Sequence, residues 1–183
     1  MRRGRLVRIA GWFSLIMVLQ GAALWFFRAR EASKRTAKPF EMTRLDGREQ
    51  MPKLAVERRD GTRAELGPTG PRLVHFWASW CAPCRDEMPV FAELAVELRE
   101  SGIDVVAVSV DDGWAAIEKF FDGDVPSFVV RAAEPDVLRQ FGAGPLPDSF
   151  LVSSSGALIG RIHGGRNWSN AGDVIRAECS KRK

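Results

Sequence analysis

Two cysteines two residues apart, Cys81 and Cys84, lie in the stretch Trp80-Cys81-Ala82-Pro83-Cys84-Arg85. A C-x-x-C pair between a strand and a helix can close a disulfide with little backbone change, the pattern of a redox centre. Cys81 falls at the expected helix start, where unpaired N–H groups and the helix dipole favour a thiolate. Cys84 falls one turn inside, placed to resolve a mixed disulfide formed on Cys81. Pro83, in the first turn, has no N–H to satisfy and a preset φ that suits the bend. Half a zinc site is the competing reading. It needs two further ligands, and Cys179, His75 and His163 show no paired spacing that would supply them. A purely structural disulfide is the third, but a four-residue loop gains little from closure. The chemistry predicted is thiol-disulfide exchange through a Cys81–Cys84 disulfide, with no metal and no other cofactor.

The elements that must hold the pair are legible in the hydrophobic pattern. Residues 73–77 (LVHFW) form a short apolar run, read as a buried strand. A helix is expected over 83–100, with Met88, Phe91, Ala92, Ala95 and Leu98 on one face and Gly102 placed to end it. Residues 103–110 (IDVVAVSV) are almost continuously β-branched and apolar, as in a parallel strand covered on both faces. A short helix is expected over 114–121, a strand over 127–131, and a helix over 135–141 opened by Pro135 at its first position. A hairpin over 149–152 and 157–163 turns at Ser154-Ser155-Gly156, and a last helix runs over 170–179. Upstream, residues 54–57 and 62–66 flank Arg59-Asp60-Gly61, a turn signal for a further hairpin. The order β-β-β-α-β-α-β-α-β-β-α specifies an α/β fold with a central mixed sheet flanked by helices.

The chain has 183 residues, 45% hydrophobic and 27% charged, ordinary for one folded domain with an appendage. Its net charge of +4 is unevenly placed. Residues 1–38 hold nine basic residues and one acid, which leaves eighteen basic and twenty-two acidic residues beyond. The basic excess therefore flanks an apolar run, and nucleic acid is not an expected partner. Residues 9–27 (IAGWFSLIMVLQGAALWFF) carry no charge and, at ~1.5 Å per residue, would span most of a ~30 Å hydrocarbon core. Trp12, Trp25, Phe26 and Phe27 sit near the ends, at headgroup level. The run exceeds a signal-peptide core and lacks a small-residue cleavage pattern, so it reads as an uncleaved single transmembrane helix. The organisation predicted is a basic flank (1–8), a membrane anchor (9–27), a linker (28–45) and a redox domain (46–183). The basic residues on both sides of the anchor do not decide its orientation.

The stretch FWASWCAPCRDEMP resembles the active-site segment of membrane-anchored thioredoxin-like thiol-disulfide oxidoreductases, the TlpA/ResA/DsbE group. The resemblance extends over residues 51–179, including the upstream hairpin with Asp60-Gly61-Thr62 and the segment PLPDSFLVSSSG. It implies a thioredoxin-like fold with an N-terminal β-hairpin extension, and a cis-proline facing the disulfide. Pro147, preceded by Leu146, matches that proline, with Pro145 the competing candidate. Trp80, Ala82, Pro83 and Leu146 would then meet the substrate, and Pro89 matches a proline that kinks the helix. The group also places an acid beyond the central strand, near the buried cysteine, to manage protons. Asp112 matches best, with Asp111 the near alternative. Thioredoxins proper carry a buried Asp where this chain has His75, which reads as a packed strand histidine. Trp77 reads as core, Cys179 as an unpaired thiol, and Arg166 as surface charge.

The resemblance further implies a reductase on the periplasmic side of a bacterial cytoplasmic membrane, where disulfides persist. Its partners would be client protein thiols and disulfides, apocytochrome c cysteines among them, with electrons from a membrane thiol carrier of the DsbD/CcdA kind. A second hypothesis is a Cu(I)-binding thioredoxin-like assembly factor for copper oxidase, with both thiolates as soft ligands. The two-residue spacing and the lack of a clear third ligand weigh against it. Peroxidase chemistry would want a lone reactive cysteine in another setting.

Overall fold

The computed structural model describes residues 38–181. The apolar run of the sequence is strand β4 (Arg72–Trp77), at the middle of an eight-stranded sheet and buried along its whole length. In chain order the other strands are β1 (Thr43–Arg44), β2 (Leu54–Glu57), β3 (Arg63–Leu66), β5 (Asp104–Ser109), β6 (Val129–Ala132), β7 (Asp148–Val152) and β8 (Leu158–His163). The sheet order is β1-β8-β7-β4-β5-β6-β2-β3. Strands β4, β5 and β6 run parallel, and the flanking pairs are antiparallel, so the sheet is mixed. Side chains alternate across it, which builds two cores. Leu73 and Trp77 face one side with Val105 and Ala107, while Val74 and Phe76 face the other with Val106 and Val108.

The first face is covered by three helices: α1 (Ala82–Glu100), α2 (Trp114–Phe120) and α4 (Ala171–Lys181), the last preceded by a 3₁₀ turn at Trp168–Asn170. Phe91, Leu94, Ala95 and Leu98 of α1 are buried there. Gly102, at φ +79°, lets the chain leave α1 and return the Ile103 N–H to Leu98. The second core also takes in Leu54 and Val56 of β2, and the single-turn α3 (Val137–Gln140) packs there through Val137. This is a thioredoxin-like α/β fold.

Several boundaries differ from the sequence reading. The expected linker ends earlier, because Thr43–Arg44 pair with β8, Lys38 bridges Arg166, and Phe40 and Met42 pack on the core. The helix expected over 135–141 is one turn, with Asp136 rather than a proline at its cap, and Gly142 follows it at φ +60°. The strand expected over 127–131 starts two residues later, because the Val129 N–H turns back to the carbonyl of Pro126. No helix among the described residues is long and apolar enough to cross a membrane. The basic flank, the anchor over 9–27 and residues 28–37 of the linker lie outside them.

Candidate functional site

The redox pair stands where β4 hands over to α1. Cys81 caps the helix, and its Sγ accepts the Cys84 N–H at 3.4 Å. The two sulfurs are bonded, with Cα atoms 5.3 Å apart. Exposure separates their roles. Trp80 is 68% exposed, Cys81 7% and Cys84 wholly buried, so an incoming sulfur reaches Cys81 first. Ala82 and Pro83 are exposed beside it. Helix α1 runs unbroken through Pro89, whose missing N–H leaves the Arg85 carbonyl without its helical partner.

The loop that carries the expected cis-proline leads into β7, on the other side of β4 from β5. The peptide bond between Leu146 and Pro147 is cis, while that of Pro145 is not. The Pro147 carbonyl accepts the Gly164 N–H at 2.8 Å, tying the end of β8 to the loop before β7. Asp148, wholly buried, holds this loop: it accepts the Gly144 N–H at 2.8 Å and the Arg161 guanidinium at 2.6 Å. Gly165 approaches so closely that a Cβ there would lie 3.1 Å from the Pro83 Cβ. Pro147 and Pro83 are thus linked through the Gly164-Gly165 turn.

Besides Asp148, two buried carboxyls stand near this turn, and neither is Asp112. Asp112 is exposed, and its main-chain carbonyl meets Arg131. Of the two acids considered for that position the buried one is Asp111, because the alternation of β5 carries on from Ser109 to Asp111, two residues later, before the chain turns outward at Asp112. Asp111 accepts the Ser79 N–H at 2.9 Å, the Ser79 hydroxyl at 2.8 Å and the Ser109 hydroxyl at 2.7 Å. It braces the loop that delivers Cys81.

The other is Glu87, which the sequence reading passed over. It lies three residues beyond Cys84 on α1 and is buried. Its Oε2 accepts the Arg166 N–H at 2.7 Å, and its Oε1 lies 3.6 Å from Nε2 of His75. Burial pushes its pKa up to about 8, against the opposing pull of the Arg166 N–H. His75, on β4, is wholly buried and pushed down to about 3 by desolvation. An acid among the buried positions of an amphipathic helix was the available signal, since Glu87 directly precedes Met88 of the apolar face. Arg166 is not surface charge: its side chain is mostly buried, and its main chain serves Glu87. Trp77 packs against Phe120 and Phe121, in the core. Cys179 is free and buried, its thiol raised to about 11 chiefly by desolvation.

Residues 37–160 match the model of the AhpC/TSA family. The chain belongs to that family. Within it, this protein is a thioredoxin-like thiol-disulfide oxidoreductase of the ResA/DsbE group. It is 30% identical over 120 residues to the thiol-disulfide oxidoreductase ResA of Bacillus thuringiensis subsp. konkukian, covering 63% of this chain and 68% of that protein. It is 29% identical over 116 residues to ResA of Bacillus subtilis, covering 62% and 65%. Among solved structures it resembles a putative thiol:disulfide interchange protein DsbE from Chlorobium tepidum. The TM-score there is 0.62 at 27% identity, over 74% of this chain and 98% of that one. The oxidoreductase acts on thiols and disulfides of client proteins, with Cys81 and Cys84 as its pair.

Proposed function

We propose that the chain is a membrane-tethered reductase of client disulfides on the outer face of a bacterial cytoplasmic membrane. The observation that carries the direction of attack is the contrast between Cys81, at the rim under an exposed Trp80, and the wholly buried Cys84. The Cys81 thiolate attacks a client disulfide, forming one S–S bond to the client and releasing one client thiolate. Cys84 then attacks the Cys81 sulfur, closes Cys81–Cys84 and releases the second thiolate. The client gains two electrons and the pair loses two. When the pair is reduced again, the departing Cys84 sulfur takes a proton, and Glu87, one turn along the same helix face, is the buried carboxyl placed to lend it.

Cis-Pro147 with Leu146, and Trp80, Ala82 and Pro83, form the surface against which the client strand lies. Tethering rests on the uncharged run 9–27. Apocytochrome c cysteines are the proposed clients and a carrier of the DsbD/CcdA kind the proposed donor, both from the likeness to the ResA/DsbE group. The test is to express the full chain as Cys84→Ala and recover what is disulfide-bonded to Cys81. Apocytochrome c in the trapped adduct supports the reading. Adducts unrelated to cytochrome assembly, or none, overturn the client assignment.

A further inference from the structure

His75 and Glu87 pose an accounting problem. Nε2 of His75 and Oε1 of Glu87 are both buried without a hydrogen-bond partner, yet they face each other at 3.6 Å. Buried polar atoms are expensive to leave unmatched, and here a small side-chain rotation would match two at once. On the far side of the ring, Nδ1 lies 2.8 Å from the Ser149 hydroxyl on β7. The ring itself is clamped, stacked on Phe91 at 4.2 Å between centroids and met edge-on by Trp168. The other groups around the carboxyl are the Arg166 N–H on Oε2, the Arg166 guanidinium, which leans toward Glu41 at 3.8 Å, and the Trp168 indole N–H. The last is a further buried donor without a partner of its own, and it acts with the Arg166 N–H to hold the Glu87 pKa down.

We propose that His75 is a positioning residue for Glu87 and works as a tautomer switch, donating to the ionised carboxyl and accepting from the protonated one, with Ser149 taking the complementary role behind it. When Glu87 is ionised, Nε2–H donates to Oε1 and the Ser149 hydroxyl donates to Nδ1. When Glu87 is protonated, its O–H donates to Nε2 and Nδ1–H donates to Ser149. The two states differ by one proton on the carboxyl and by which ring nitrogen carries the ring proton. The imidazole stays neutral throughout. A serine hydroxyl is the right neighbour for such a ring, because it can donate or accept by rotating.

Desolvation favours this arrangement over an imidazolium–carboxylate pair, since two charges at this depth cost more than their attraction returns without further hydrogen bonds. The opposed shifts of the two groups, His75 down to about 3 and Glu87 up to about 8, fit two neutral partners near neutrality. The consequence for exchange rests on the redox function: a carboxyl that is matched in both protonation states can give and recover a proton without a structural penalty.

The chain has two histidines, so nitrogen-15 labelling of the imidazoles in the full chain gives two ring spin systems, and His163→Asn identifies the other. The expected result is a neutral His75 ring whose proton moves from Nε2 to Nδ1 as pH falls. Its midpoint should coincide with the growth of the carboxylic C=O band of Glu87 in the infrared. Glu87→Gln should abolish the pH dependence and leave one tautomer throughout. His75→Phe, which keeps a ring on Phe91, should raise the proton affinity of Glu87 at least tenfold. A single tautomer across the Glu87 titration, an imidazolium, or a tautomer change that survives Glu87→Gln would each overturn the switch. If His75→Phe does not fold, the spectra of the unaltered chain decide alone. Trapping of clients on Cys81 is read separately, so failure of the switch and failure of the reductase reading remain distinct.

Discussion

Two buried carboxyls serve the same turn of the same protein and live under different rules. Asp111 is 4% exposed and Glu87 2%, so burial alone does not separate them. Asp111 accepts from one backbone N–H and two hydroxyls, all within 2.9 Å. Glu87 accepts one N–H, and its second oxygen faces a ring nitrogen beyond hydrogen-bond reach. A carboxylate supplied with donors is a strut. One left short of donors is a proton holder, because neutralisation is the cheaper way to stay buried.

Removing the strut should have the largest effect on the fold. Asp111→Ala strands the Ser79 N–H and two hydroxyls between β4 and β5, at a cost of about 3 kcal/mol for lost charge-assisted hydrogen bonds. Urea unfolding at neutral pH would measure it, and Asp111→Asn should recover part of the loss. A cost as small as a surface substitution would mean that Ser79 and Ser109 find water instead, and the contrast with Glu87 would fail.

Removing the proton holder should show in the pH dependence of stability. Between its ordinary 4.5 and about 8, Glu87 keeps a proton in the native chain that the unfolded chain has lost. Stability therefore falls as pH rises through that window. His75 acts oppositely: the unfolded ring binds a proton below 6.5, the native one only near 3, so stability rises between those values. Where the windows overlap, from 4.5 to 6.5, the two slopes cancel. From 6.5 to about 8 only the Glu87 slope remains, a fall of about 2 kcal/mol. Glu87→Gln should abolish this alkaline fall. His75→Phe should do something different and extend the fall down toward 4.5, since nothing then offsets Glu87. Unfolding curves of the three proteins across this range check both outcomes, and parallel profiles would contradict the assignment.

The same contrast explains what the sequence disclosed. The pair Cys81–Cys84, the helix behind it and the parallel centre of the sheet were readable because spacing and apolar periodicity are local signals. The edge strand Thr43–Arg44 was not, because two exposed residues owe their strand to β8, more than a hundred residues away. Glu87 was hidden for a related reason. A helix pattern tells which face is buried, but an acid at its margin is buried only if another element supplies partners. Those partners, Arg166 and His75, come from other elements, the first of them 79 residues along the chain. Asp111 and Asp112 differ by one residue, and one residue at a strand end reverses the side to which a chain points.

That reversal yields the smallest expected effect. Asp112→Ala should change stability by no more than about 0.5 kcal/mol, as for an exposed side chain away from caps and networks. It should also leave the rate of disulfide exchange and its pH profile unaltered. The main-chain carbonyl that meets Arg131 survives the substitution, so the contact between the β5 end and β6 is kept. Exchange kinetics with a small disulfide, measured across pH on the oxidised and reduced protein, give the readout. If Asp112→Ala moved the pH profile while Glu87→Gln left it in place, proton management would belong to the exposed acid. Burial would then be the wrong criterion for telling a strut from a proton holder.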